Sequence, residues 1–301
     1  MSLAPIVLFV YNRPEHTLRT LEALSRNNLA ASSELFVFAD GAKAGASEET
    51  LGKIRKVKEI VKSKDWCKRV QLIESEKNKG LAASVIDGVT AVIREHGKVI
   101  VLEDDLLTSP FFLNYMNDAL NLYEEEDKVA CISAYIYPVG ETLPETFFIK
   151  GADCWGWATW SRAWSTFESD GKRLMSRLKG YEKEFDFGGT YPFTEMLEHQ
   201  IEGKNDSWAI RWYASAFLEG RLCLYPGRSL VQNIGFDGSG THGGTTSSWQ
   251  VEIAAESVKL DPLPAVEDLS SKKKISSYFR SLKPSIVKKI KGKLKAIVKG
   301  N

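Results

Sequence analysis

Three consecutive acids, Glu103, Asp104 and Asp105, close the stretch 98–106, KVIVLEDDL, with no basic residue among them. Carboxylates set side by side repel one another and raise each other's pKa unless a cation offsets the charge. An all-oxygen ligand set suits a hard divalent metal, so Mg²⁺ or Mn²⁺ is the simplest resident. Residues 99–102 are apolar and β-prone, too short for an isolated helix and right for a strand buried on both faces. Acids at the carboxyl end of such a strand lie where open α/β sheets bind their ligands. The blander origin is a solvated loop, one acid of which caps a helix starting near Ser109-Pro110.

Other residues could do chemistry at a distance in sequence. Asp206 and Ser207 precede an apolar run with helical spacing at Ile210, Tyr213, Ala214 and Phe217, so N-capping competes with any catalytic part for Asp206. Residues 154–164, CWGWATWSRAW, hold four tryptophans within the ten positions 155–164. That density suits a buried core or a platform on which the apolar face of a sugar stacks. Gly235, Gly238, Gly240, Gly243 and Gly244 surround His242, the pattern of a loop able to approach a ligand closely. Neither GxGxxG nor GxxxxGK[ST] occurs, so any phosphate must be held by a metal and by basic side chains such as Arg13 or Lys79.

The elements that must position these residues follow from periodicity. Strands are expected over 5–11, 34–39, 69–74 and 98–102, with helices between them: one entered through Asn12-Arg13-Pro14 and striped by Leu18, Leu21 and Leu24, then 48–62 and 81–95. Four strands alternating with helices predict a parallel, doubly wound sheet with right-handed crossovers. Its ligands should gather at Tyr11-Asn12-Arg13, Asp40-Gly41, Asn78-Lys79-Gly80 and Glu103-Asp104-Asp105, all leaving the carboxyl ends of strands. A helix over 110–126 and strands over 129–135 and 221–225 complete the pattern, and the acidic run 124–127 reads as a solvated face.

The chain of 301 residues is long enough for a full core, and its 43% hydrophobic and 26% charged content is that of a globular protein. A formal net charge of +1 hides a segregation. From Lys272 onward there are eleven Lys or Arg and no acid, leaving 29 bases against 39 acids in residues 1–271. Cys67, Cys131, Cys154 and Cys223 are far apart and lack metal-type spacing, which suits free thiols in a reducing compartment. No export signal and no run long enough to span a bilayer is visible, so the body is expected in the cytoplasm.

Taken in order, these motifs resemble the nucleotide-sugar-dependent glycosyltransferases of the GT-A fold. Within that fold they are most similar to the N-acetylglucosaminyltransferase I family and its bacterial relatives. The resemblance runs over residues 4–245 and rests on VLEDDL followed by SPFFLNYMNDAL, on Cys131 to Tyr135, on GWATWSRAW, on NDSWAIRW, and on residues 221–226 through Gly235 to His242. It implies an α/β fold of GT-A (Rossmann-like) type, a mostly parallel central sheet flanked by helices. By resemblance, Asp105 ligates Mn²⁺ (or Mg²⁺) bridging the diphosphate of a UDP-sugar donor, while Glu103 and Asp104 contact donor sugar and ribose. Asp40 would hydrogen-bond the uracil, Asn12 and Arg13 line the nucleotide pocket, and Trp157 joins the donor-binding set. Asp206 would be the general base of an inverting transfer. The family has two aspartates before its tryptophan where this chain has Asp206-Ser207, which leaves Glu202 and Glu195 as alternatives.

The expected organisation is a transferase domain over 1–254, with a nucleotide-sugar half at 1–136 and an acceptor half at 137–254, then a linker over 255–271 and a basic tail over 272–301. From Ser285, Ile286, Val287, Ile290, Leu294, Ile297 and Val298 fall on one helical face among lysines. That pattern fits a helix lying on an anionic membrane, the inner face of the cell membrane, and the apolar stripe favours lipid over nucleic acid. The expected partners are therefore a nucleotide-sugar, a glycan or lipid-linked acceptor, and a membrane surface, in surface polysaccharide or glycan assembly. UDP-N-acetylglucosamine is the donor that the resemblance suggests. A sugar-1-phosphate nucleotidyltransferase is the first alternative, disfavoured because Tyr11-Asn12-Arg13-Pro14 lacks the glycine-rich basic signature after the first strand. A catalytically inactive, membrane-tethered glycan-binding domain is the second.

Overall fold

The computed structural model describes residues 2–238 and 246–282. Strands β1 (Ile6–Val10), β2 (Glu34–Ala39), β3 (Arg69–Glu74) and β4 (Lys98–Glu103) alternate with helices α1 (Pro14–Ser25), α2 (Glu48–Lys62) and α3 (Leu81–His96). Pro14 occupies the first turn of α1, where its missing N–H is not needed. Ser47 caps α2 by accepting from the Thr50 amide at 3.2 Å. The strands lie in the order β3-β2-β1-β4, all parallel. The chain thus moves outward from β1 to β3 on one side and returns to β4 on the other. The strand order reverses between β1 and β4, and the crevice this opens at their carboxyl ends is where a doubly wound sheet takes its ligand.

The second half of the chain widens the sheet. After β5 (Leu106–Thr108) and α4 (Phe112–Leu122) come β6 (Val129–Ser133), β7 (Thr146–Lys150), β8 (Trp157–Trp160), α5 (Ser161–Trp164), α6 (Gly171–Leu178), α7 (Glu182–Phe185), α8 (Phe193–Ile201) and α9 (Trp208–Leu218). Strands β9 (Leu222–Pro226) and β10 (Val231–Asn233) and helix α10 (Leu269–Leu282) complete the described chain. The eight-stranded sheet continues β4-β8-β6-β9-β7, with β8 antiparallel to both β4 and β6. It is a mixed sheet, parallel in its first half and at β6-β9, antiparallel elsewhere. Strand β10 pairs with β5 in a separate antiparallel ribbon, Val231 opposite Thr108 and Asn233 opposite Leu106.

Side chains alternate across a strand, and here both faces are apolar. Ile6, Leu8, Ile100 and Leu102 pack with Leu21 and Leu24 of α1, Val57 of α2 and Met116 of α4. Val7, Phe9, Val99 and Val101 pack with Val85 and Val89 of α3 and with Trp157 and Trp212. The same alternation sends Glu103, the last residue of β4, toward the α3 face, and Asp104 begins the turn after it.

The expected linker and the first third of the expected tail are part of this body. Val258 is buried, the Leu263 amide donates to the Tyr123 hydroxyl at 3.0 Å, and the Lys150 amide donates to Glu267 at 2.9 Å. Asp268 accepts from the amides of Ser270 and Ser271 and so starts α10. Ile275 and Phe279, one turn apart, form the buried face of that helix. The Phe279 ring lies 4.7 Å from Tyr191, 4.8 Å from Tyr137 and 5.4 Å from Phe187. Phe279→Ala is expected to lower stability by about 3–5 kcal/mol in urea unfolding. An unchanged midpoint would mean that α10 does not hold to the body. The amphipathic face from Ser285 lies outside the described residues, and no helix among those described is long and apolar enough to cross a membrane. The four cysteines carry no disulfide.

Candidate functional site

Because α1 starts directly after β1, its N-terminal flank meets the end of β4. Arg13 Nη1 lies 2.8 Å from Asp105 Oδ2 and 3.4 Å from Asp104 Oδ1. The Thr20 hydroxyl donates to the Asp104 carbonyl at 2.8 Å, tying α1 to the acidic turn. Burial, and then the charge of Asp105, push the Asp104 carboxyl up to about 7, with Arg13 opposing. Glu103 is raised as well, first by burial and then by Asp105 and Asp104. Burial disfavours charge on Arg13, but Asp104, Asp105 and Asp237 together outweigh it and hold its pKa above the ordinary value. Helix α4 begins without a side-chain cap, so the acids are not there to cap it.

A short segment lies over this cluster. The Ile234 amide donates to the Asp105 carbonyl at 2.8 Å. A Cβ at Gly235 would stand 2.1 Å from Asp105 Oδ2, so glycine alone lets the chain rest against that carboxylate. His16 Nε2, one turn into α1, lies 3.1 Å from Asp237 Oδ2 and holds the far end of the segment. Gly240, His242, Gly243 and Gly244 lie outside the described residues.

Asp104 and Asp105 converge on one cationic position, where the Arg13 guanidinium stands. The donors there are carboxylate oxygens, two carboxyl groups sharing one guanidinium, and that donor chemistry suits a hard divalent ion. Among the described residues no three Asp, Glu, His or Cys side chains form a ready cage. Asp105, nearest the shared position, is the carboxylate that could hold such an ion, and oxygens from outside this cluster would have to complete its shell.

The other expected site residues are placed unequally. Asp40 is turned inward and used up: Oδ1 accepts from the amides of Gly41 and Lys79, each at 2.8 Å, and Oδ2 from Asn78 Nδ2 and the Gly80 amide, each at 2.9 Å. A carboxylate offers about four acceptor sites, so the uracil contact implied for Asp40 finds them taken. Asp40 instead staples the loop after β2 to the loop after β3. Asp40→Ala should therefore cost about 3 kcal/mol in thermal or urea unfolding, because several loop amides lose a charged acceptor together. A change under about 0.5 kcal/mol would contradict the staple. The Lys79 ammonium pairs with Asp87 at 2.9 Å on the surface, and Asn12 is half-buried beside Arg13.

Trp157 is core. It is fully buried in β8, stacked on Trp208 at 5.3 Å and tilted against Trp164 and Trp212 at 5.7 and 6.0 Å. Its indole N–H has no hydrogen-bond partner among the described residues, so ring packing holds it there. The tryptophan of this run that reaches the surface is Trp155. Its ring meets Tyr135 at 4.7 Å, Phe236 at 5.5 Å and Trp249 at 6.1 Å.

Asp206 stands at the entrance of α9, 67% exposed, with Oδ1 3.3 Å from Arg211 Nη2. Ser207 is the cap, its hydroxyl accepting from the Ile210 amide at 3.2 Å. The Trp208–Trp157 stack sets this helix entrance one ring away from the strand that pairs with β4. Glu202 pairs with Lys204, and Glu195 lies 3.9 Å from His199.

One buried acid had no signal in the sequence. Asp153 accepts from the Cys154 and Trp155 amides at 2.6 and 3.3 Å and from the Tyr225 and Tyr137 hydroxyls at 3.1 and 3.4 Å. Burial raises its pKa and these donors oppose the rise. They also fix the turn that presents Trp155. Cys154 is raised by burial first and then by the charges of Asp153 and Glu103, which sets this turn beside the acidic cluster. Two of the four donors are the amides directly after Asp153, but the two hydroxyls come from other segments, Tyr137 16 residues before it and Tyr225 72 residues after it, so only the fold brings them in.

No protein-family model and no curated protein matches the chain. Among solved structures it is similar to S. aureus TarS, at 15% identity and a TM-score of 0.32, over 50% of this chain and 25% of that one. The TarS 1–349 structure gives 15% identity and a TM-score of 0.32, over 51% of this chain and 42% of that one. Glucosyl-3-phosphoglycerate synthase from Mycobacterium tuberculosis, in complex with Mn²⁺, UDP and glucosyl-3-phosphoglycerate, gives 10% identity and a TM-score of 0.33, over 56% of this chain and 59% of that one. The similarity thus spans less than two thirds of each of these chains.

Proposed function

We propose that the protein is a metal-dependent glycosyltransferase of the GT-A type, moving a sugar from a nucleotide-sugar to an acceptor hydroxyl. One observation carries this reading: Arg13, Asp104 and Asp105 meet at the carboxyl ends of β1 and β4, where the strand order reverses. The motif order in the sequence supports the same reading and suggests UDP-N-acetylglucosamine as donor. Arg13 and Asn12 would hold the nucleotide diphosphate and Asp105 the metal. When bound, that ion would neutralise charge on the departing diphosphate. Asp206, exposed at the start of α9, would take the proton from the acceptor hydroxyl as its oxygen attacks the anomeric carbon on the face opposite the leaving group. The bond from that carbon to the diphosphate then breaks, and the configuration inverts.

Calorimetric titration with UDP-, GDP-, CMP- and dTDP-sugars, with and without Mn²⁺, tests the proposal. A metal-dependent heat with one of them supports it and names the donor. Silence across the panel, with the protein folded, overturns it. We also propose that the basic segment after Leu282 brings the enzyme to the cytoplasmic face of the cell membrane. Since Ile275 and Phe279 belong to the core, the informative truncation ends the chain at Leu282. That protein should stay folded and no longer sediment with anionic vesicles, and unchanged sedimentation would refute the membrane role.

A further inference from the structure

A hollow of about 580 Å³ opens beside the acidic cluster, between the outer side of α1, strand β10 and residues 246–252. Its volume lies within the ~300–1,000 Å³ of small-molecule sites. Ile234, Phe236 and Asp237 line it and belong to the segment that rests on Asp105. Whatever fills the hollow therefore lies one segment away from the reacting centre of the proposed transferase. We propose that this hollow binds the acceptor as an uncharged, hydroxyl-rich saccharide, an inference that rests on the transferase reading and adds the class of acceptor to it.

The chemistry of the walls selects that class. Trp249 and Phe236 supply aromatic surface, with rings 6.5 Å apart and 35° from parallel, and the apolar face of a pyranose packs on such surface. Gln250, Glu252 and Arg19 on the rim are exposed and offer donors and acceptors to hydroxyl groups. Lining charges comprise one base, Arg19, against two carboxylates, Glu252 and Asp237, the second facing His16, while Asp105 behind them is paired with Arg13. A phosphate or uronate would meet net repulsion there, whereas a neutral sugar meets none.

The wall is also held in advance of any ligand, which lowers the cost of binding. The Tyr135 hydroxyl donates to the Trp249 carbonyl at 3.0 Å and the Val251 amide to Gln232 Oε1 at 2.6 Å. The Tyr278 hydroxyl of α10 donates to the Ser248 carbonyl. Trp155, fixed by the Asp153 turn, braces Trp249 and Phe236 from behind.

The test is tryptophan fluorescence and saturation-transfer NMR on the full chain with methyl β-glucoside, methyl β-N-acetylglucosaminide and chitobiose, against glucose-6-phosphate and glucuronate. UDP with Mn²⁺ is titrated in parallel. Neutral sugars are expected to bind at least tenfold tighter than charged ones. Trp249→Ala should weaken them about tenfold, Trp249→Phe should restore most of the loss, and UDP affinity should not change. Glu252→Lys, on the exposed rim, should shift preference toward glucose-6-phosphate. The inference is overturned if charged sugars bind as tightly as neutral ones, if the Trp249 variants bind like the parent, or if no sugar binds while UDP with Mn²⁺ does. Sugar binding that depends on Trp249 without any nucleotide binding would keep the saccharide site and remove the transferase reading. Silence of every probe on folded protein removes both.

Discussion

Asp105→Ala is expected to weaken Mn²⁺-dependent donor binding by roughly a hundredfold or more, since even partners behind a metal ligand are typically worth 10–100-fold. The same substitution should leave the fold intact. Its pair with Arg13 is mostly buried, but Arg13 keeps Asp104, and Glu103 and Asp104 lose a like-charged neighbour that raises both of them. A purely structural Asp105 predicts the opposite pattern, with lower stability and unaltered nucleotide binding. Calorimetry with and without Mn²⁺, beside a thermal melt, separates the two. Donor affinity within twofold of the parent would sink the metal assignment. Asp105→Asn keeps the shape against Gly235 and should lose the metal-dependent part of the binding as well.

Asp206→Asn should reduce kcat by about 10²–10⁴, the range for removing a general base, with donor affinity unchanged. Stability should respond by no more than about 1 kcal/mol, because Asp206 itself is exposed and Arg211, though buried, keeps its bonds to the Ser207 and Ser169 carbonyls. The neighbouring substitution makes the control: Ser207→Ala removes the cap of α9 and should cost about 1 kcal/mol while sparing turnover. If Asp206→Asn turns over at the parental rate, the base is another acid, and Glu202 and Glu195 become the next to replace.

The elements of the first hundred residues were legible in the sequence because each carries its own local signal. Strands over Glu34–Ala39 and Arg69–Glu74 and the helix over Glu48–Lys62 fall where periodicity sets them, and the acids stand at the end of a strand buried on both faces. Apolar periodicity and turn residues are properties of neighbours in the chain, so no tertiary knowledge is needed to read them.

What required the tertiary structure was every feature that depends on which segments meet. Strand β8 was hidden within the tryptophan run, since a strand covered on both faces shows no alternation. Covered in that way by Trp208 and Trp212, Trp157 becomes core and the partly exposed Trp155 takes the surface. Asp40, expected to meet a base, spends its acceptors on a loop 38 residues further on. Residues 272–282, grouped by charge with the tail, give Ile275 and Phe279 to the core, because lysines on one side of a helix do not prevent burial of the other. The sequence by itself determined the parallel, four-stranded half of the sheet and the acidic turn that follows its last strand. The tertiary structure decided which cation stands on that turn, which aromatic rings wall the hollow beside it, and that residues 269–282 belong to the body, because each of these depends on contacts between residues far apart in the chain.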